Sequence, residues 1–275
     1  MWVLRGLRNG VVTTRWPAKP DPYADEWRGP ATVLDGGRGT AGERGTAGER
    51  GAADRLDQLC PTGAIDQRED GGVTLDQGKC ICCGRCVTAR PELFGWARGP
   101  ASGALTRGGL VVPEIAETDE DLAQMRASLR RRTRALGRSV HLRHVDAGSD
   151  GSEEWELQAL LNPVYDVHRL GVFFTASPRH ADVLIVTGAG TRGMAEPLRL
   201  TYQGMPDPKV VIAAGTDAVS GGLLADSYAT RGGIGEILPV DVWVPGSPPS
   251  PFSLLHALLL GLGRLPDRQS AEVTP

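Results

Sequence analysis

The chain has 275 residues, 40% of them hydrophobic and 23% charged, which suits about two domains with buried cores. A formal net charge of −3 excludes a general nucleic-acid binder, and no run of about 18 apolar residues offers a membrane-spanning helix. The opening "MWVLRGLRNGVVTTRWP" spreads Arg5, Arg8 and Arg15 through its length without a continuous apolar stretch, so it is no secretory signal and a cytoplasmic location is expected.

Residues 1–34 read as a basic, partly amphipathic arm. It either docks against another subunit or a membrane surface, or packs as a terminal element on its own domain. A flexible glycine-rich insert is expected over 35–51, where "GTAGERGTAGER" repeats a hexamer perfectly at 39–50 with too little apolar content to bury. Residues 52–112 form a compact cysteine-bearing unit with strand-like pieces such as "GGVTL". The segment 113–138 holds a linker helix, "TDEDLAQMRASLRRRTRALG". Thr118 is its N-cap, Asp121 lies three residues on, acids fill the first turn, arginines come late and Gly137 stops it. Leu122, Met125, Leu129 and Leu136 share roughly one face, and the arginine run is a solvated face.

From 139 to 265 the rhythm becomes strand and helix. "VHLRHVD", "ADVLIVTG", "PKVVIAAG" and "DVWVPG" read as strands. "EEWELQALL", "RGMAEPLRLTYQGM" (interrupted at Pro197) and "PFSLLHALLLGLG" read as helices. Short apolar runs alternating with helices predict an open, doubly wound parallel α/β sheet. A flexible tail, 266–275, closes the chain.

All five cysteines fall within the 27 residues from Cys60 to Cys86, and none follows. An odd, clustered set in a reducing compartment points to a metal site rather than disulfides. Cys80, Cys83 and Cys86 stand at C-x-x-C-x-x-C spacing, and Cys60 precedes a proline. Both strings resemble halves of a bacterial ferredoxin, in which such a set holds one [4Fe-4S] cluster. Zinc is the alternative, but the even spacing favours iron–sulfur. Arg90-Pro91 stands where a ferredoxin has Cys-Pro, and no second cysteine run precedes Cys60, so both losses fall on one cluster and spare the other. Cys82 is left over, a small residue beside the site.

The α/β half resembles the small subunit of membrane-bound, energy-converting [NiFe] hydrogenases and the 20-kDa-type subunit of complex I. The likeness is strongest over "LLNPVYDVHRLGVFFTASPRHADVLIVTGAGTRGMAEPLRLTYQGMPDPKVVIAAG". It implies a flavodoxin-like fold with a proximal [4Fe-4S] cluster held by cysteines from three loops. Here those loops read Gly148-Ser149-Asp150-Gly151-Ser152-Glu153-Glu154, Gly215-Thr216-Asp217-Ala218 and Pro245-Gly246-Ser247-Pro248-Pro249. The four ligand positions have become Asp150, Glu153, Asp217 and Ser247. "GVVTTRWPAKPDPYADEWRG" is similar to the arm of the ferredoxin-like, 23-kDa-type subunit that partners the small subunit, which makes the chain a fusion of two neighbouring subunits. The overall expectation is an α/β open parallel sheet preceded by a small α+β ferredoxin-like domain.

Each altered loop follows an apolar strand, so the three should converge at the carboxyl edge of the sheet, where α/β proteins place ligands. Carboxylates and a hydroxyl are hard oxygen donors and do not hold a sulfide-bridged cluster as thiolates do. Three fillings are open: collapse into salt bridges and water with Arg192 or Arg231, which is favoured; a hard cation such as Mg²⁺ or Ca²⁺; or a general acid/base pair. His168 and His180 sit in family-like segments and read as structural. The leading expectation is a non-catalytic or electron-transfer subunit with one [4Fe-4S] cluster. The resemblance implies that it docks a large hydrogenase-type (complex I 49-kDa-type) subunit, with membrane subunits as further candidate partners, peripheral on the inner face of the cell membrane. The alternatives are a repurposed enzyme subunit using the Asp150/Glu153/Asp217 pocket and a one-cluster electron carrier.

Overall fold

The computed structural model describes residues 2–34, 56–68, 72–113, 118–137 and 139–265; the expected insert at 35–51 and tail at 266–275 lie outside them. The N-terminal part runs α1 (Trp2–Asn9), α2 (Pro22–Glu26), β1 (Arg28–Val33), α3 (Leu56–Leu59), β2 (Ile65–Gln67), β3 (Val73–Asp76), α4 (Arg85–Ala89), β4 (Phe94–Arg98) and β5 (Val111–Val112). It holds two small antiparallel sheets, β1–β4 and β2–β3–β5. Leu59, Ile65, Leu75 and Phe94 share a core with Cys80 and Cys86. Strand β1, placed by its sequence in the basic arm, thus belongs structurally to the cysteine-bearing unit. Its partner β4 lies some sixty residues away in sequence, and no local pattern announces such a pairing.

Helix α5 (Asp119–Thr133) begins with the expected capping box between Thr118 and Asp121. Only Leu129 and Thr133 of this helix are buried, so it lies on the surface of the α/β half. Among its arginines, Arg132 pairs with Asp241.

The α/β half follows as β6 (Val140–Asp146), α6 (Ser152–Ala159), β7 (Val172–Phe174), β8 (Val183–Thr187), α7 (Arg192–Gln203), β9 (Val210–Ala214), α8 (Thr216–Ser220), β10 (Val242–Val244) and α9 (Pro251–Gly261). Its five strands are all parallel, in the order β10-β9-β8-β6-β7. Alternate residues of β8 serve opposite faces. Val183 and Ile185 join the core with Phe252, Leu254 and Leu258 of α9, whereas Leu184 and Val186 join the core with Ala195 and Leu198 of α7. Both faces are therefore covered, which is why these strands read as continuous apolar runs.

Two details differ from the sequence reading. β7, only three residues long, is a fifth strand that so short a run does not reveal. α7 also runs unbroken through Pro197, because buried Ala195 and Leu198 anchor the helix on both sides of it.

Candidate functional site

The strand order is the flavodoxin-like 2-1-3-4-5 pattern, with its topological switch point between β6 and β8. The loop after β6 begins at that point. Asp146 Oδ1 accepts the Gly148 and Ser149 N–H groups at 2.7 and 2.8 Å and folds the loop back over the strand end. Main-chain bonds then tie the loops together: Ala189 N to Gly148 O at 3.1 Å, Thr191 N to Ala147 O at 2.9 Å, and Thr216 N to Gly246 O at 2.7 Å. The segments that follow β6, β9 and β10, which carry Asp150, Glu153, Asp217 and Ser247, start from one edge of the sheet as expected.

Within this edge the Asp150, Glu153 and Asp217 side chains have different fates. Asp150 is exposed, and its Oδ1 accepts Ser152 N at 2.9 Å and Ser152 Oγ at 2.6 Å, which holds its carboxyl below the usual range. Glu153, in the first turn of α6, is 1% exposed. Burial pushes its carboxyl up to about 7, with Asp217 and Asp150 adding like-charge repulsion. Its Oε2 lies 3.2 Å from Ser152 Oγ. A hydroxyl has one hydrogen, and the shorter bond to Asp150 claims it, so a protonated Glu153 completes this contact by donating to Ser152. Asp217, half-buried in the first turn of α8, is raised by burial and then by Asp150. A Cβ on Gly215 would lie 2.5 Å from Glu153 Oε1, and one on Gly222 would lie 2.1 Å from Asp217 Oδ1, so both carboxylates pack directly on glycine backbone.

This geometry corrects two readings of the pocket. Among the described residues, neither Arg192 nor Arg231 pairs with these carboxylates; serine hydroxyls and peptide groups take that place. No group of three His, Cys, Asp or Glu side chains among the described residues is placed to hold a metal ion, which removes support for a hard cation. Asp150 turns outward while Glu153 turns inward, and that divergence is the physical reason.

Sequence reasoning missed a neighbouring network. Half-buried Glu154 accepts hydrogen bonds from Thr187 Oγ1 and, at 2.7 Å, from Ser149 Oγ, and His144 Nε2 lies 2.9 Å from Thr187 Oγ1. Burial lowers the His144 pKa against the opposing pull of Glu154.

The cysteines form the second half of the site. Cys60, Cys80, Cys83 and Cys86 line one cavity, with Pro61, Ala64 and Ile81 among its other walls. Peptide N–H groups point at two sulfurs: Ala64 to Cys60 Sγ at 3.3 Å and Ala31 to Cys80 Sγ at 3.4 Å. The Cys82 thiol and the Ala31 N–H lower the Cys80 pKa to about 6, while burial lifts Cys86 to about 11. Among the described residues the cysteines are not grouped as ligands of a metal ion as the structure stands. Four cysteines lining one cavity, two of them with N–H donors at the sulfur, are a donor set that would suit an iron–sulfur cluster, whose four ligands each take a different iron.

The two halves of the site touch. Thr216 Oγ1 donates to Cys80 O at 2.8 Å, and the Ser247 backbone N–H points at the Cys82 sulfur. Arg107 forks onto Asp76 with two bonds of 2.7 Å just before the cysteine loop. Cys82 itself adopts a left-handed φ of +54°. None of these contacts has a sequence signal, because each joins positions remote in the chain.

Fold and site together define a doubly wound α/β domain with carboxylates at its switch-point edge, abutted by a four-cysteine cavity. Residues 151–260 match the family model described as NADH ubiquinone oxidoreductase, 20 Kd subunit. The chain is 40% identical over 161 residues to formate hydrogenlyase subunit 7 of Escherichia coli, covering 58% of this chain and 62% of that protein. It is 43% identical over 140 residues to the probable membrane-bound hydrogenase subunit mbhJ of Pyrococcus furiosus, covering 51% of this chain and 84% of that one. The solved structure of an archaeal membrane-bound sulfane sulfur reductase aligns at a TM-score of 0.42 with 28% identity, over 48% of this chain and 74% of the other. The chain belongs to the complex I 20-kDa/[NiFe]-hydrogenase small-subunit family.

Proposed function

We propose that the chain is an electron-transfer subunit of a hydrogenase-like or complex I-like membrane-bound assembly. It carries one [4Fe-4S] cluster on Cys60, Cys80, Cys83 and Cys86 in a ferredoxin-like unit fused ahead of the small-subunit domain. That domain docks a large, hydrogenase-type subunit, and the proximal position is without a cluster. The observation that carries this reading is the single cavity ringed by the four thiols, with Ala31 and Ala64 N–H groups aimed at two of them. Such a cluster supplies one-electron redox chemistry, and N–H donors to its sulfurs tune its potential. The relatives named as formate hydrogenlyase and membrane-bound hydrogenase subunits support the assembly. No helix among the described residues is long and apolar enough to cross a membrane, which is compatible with peripheral association through partners.

The deciding experiment measures iron and acid-labile sulfide per chain after anaerobic purification, with EPR of the reduced protein. About four irons and one signal support the reading. About eight would place a second cluster on Asp150, Glu153, Asp217 and Ser247, and none would remove the redox role.

A second reading rests on buried Glu153, held near neutrality beside Asp217. Such a pair suits proton transfer at physiological pH. If Glu153→Gln and Asp217→Asn leave turnover of the purified assembly unchanged, the pocket has no acid/base role.

A further inference from the structure

We propose that α1 is a membrane-surface contact whose occupant is a layer of anionic phospholipid headgroups. Val3, Leu4 and Leu7 of this helix are 55%, 69% and 75% exposed, and Val11 just beyond it is 81% exposed. At helical spacing Val3, Leu4 and Leu7 fall within one sector of about 100°, with Arg8 and then Arg5 next to it. Residues 1–20 contain Arg5, Arg8, Arg15 and Lys19 and no acidic residue, in a chain whose net charge is −3. A helix of two turns is marginal in water by itself, so a surface that takes up its apolar sector also stabilises it.

The arm is anchored just behind this helix. Thr13 Oγ1 donates to Pro163 O at 2.7 Å and Thr14 N to Val164 O at 2.8 Å. Buried Trp16 meets Phe252 edge-on at 6.0 Å. Residues 13–16 therefore pack on the chain's own α/β half, while α1 leads away with its apolar side uncovered. A short apolar sector flanked by guanidinium groups complements a flat, negatively charged interface: the apolar side chains enter the acyl boundary and the arginines stay at phosphate level. The inference is independent of the cluster.

The test is flotation of the full-length protein with vesicles of phosphatidylcholine plus phosphatidylglycerol, against phosphatidylcholine alone. Binding to the anionic vesicles only, weakened by salt, is expected. Arg5→Gln and Arg8→Gln should each lower the partition coefficient about fivefold. Leu4→Asp with Leu7→Asp should abolish flotation while the urea-unfolding midpoint stays at the parent value. Failure to float with protein-free anionic vesicles, as expected if the helix docks into a protein groove, would overturn the proposal. So would unchanged flotation of the Leu4→Asp/Leu7→Asp variant.

Discussion

Thr216 Oγ1 donates to the carbonyl oxygen of Cys80 at 2.8 Å, joining the first turn of α8 to the loop that bears Cys80 and Cys83 of the cavity. The same oxygen accepts Gly246 N–H at 3.3 Å, so one fully buried hydroxyl ties three segments. Thr216→Val keeps the shape and removes both bonds, leaving buried polar groups unpaired at a cost of about 1–3 kcal/mol. Urea unfolding should show that loss, and Thr216→Ser should recover most of it. Equal stability of the valine variant and the parent would mean that this contact does not hold the two units together.

The cysteines should separate by role. Cys60→Ser, Cys80→Ser, Cys83→Ser and Cys86→Ser should each lose most of the bound iron, because a cube short of one thiolate is exposed to hydrolysis and oxidation. Cys82→Ala should retain it, since that thiol interacts with Cys80 and the Ser247 N–H and does not line the cavity. Iron and sulfide assays on the five variants decide this, and loss of iron in Cys82→Ala would make it a ligand.

Glu153 should make stability fall as pH rises. Its folded pKa, about 7, lies above the 4.5 of an ordinary glutamate. Between these values the folded state holds a proton that the unfolded state has released, so raising the pH favours unfolding. Below about 4.5 both states are protonated and the penalty is absent; above about 7 it is complete, at about 3 kcal/mol. Glu153→Gln should match the parent near pH 4.5 and exceed it at pH 8. Parallel stability–pH curves for the two proteins would sink the assignment.

Gly215 offers a double test. It sits at φ +96° with its Cα against the Glu153 carboxylate. Gly215→Ala meets both backbone strain of about 1–3 kcal/mol and a collision with Glu153. Adding Glu153→Ala removes the collision and leaves the strain, so the double variant should be more stable than Gly215→Ala alone. Thermal melts of the two singles and the double measure that coupling.

Much of this architecture is readable from residues close together in the chain. Cys80, Cys83 and Cys86 announce a shared site because their spacing is short. Apolar runs followed by glycine locate the strand ends, and with them the edge at which Asp150, Glu153, Asp217 and Ser247 gather. What lies beyond the sequence depends on contacts between remote positions. The β1–β4 pairing, the Thr216–Cys80 bond and the split orientation of Asp150 and Glu153 are of this kind. The last follows from position: Glu153 lies in the buried first turn of α6, whereas Asp150 sits in the exposed loop before it. The missed β7 has a different cause: three residues are too few to display a period.

The main-chain bonds that tie the loops around the switch point separate the outline of this edge from its side-chain chemistry. Because peptide groups hold the walls, a substitution at Asp150 or Ser247 changes what the edge can bind while leaving its shape in place.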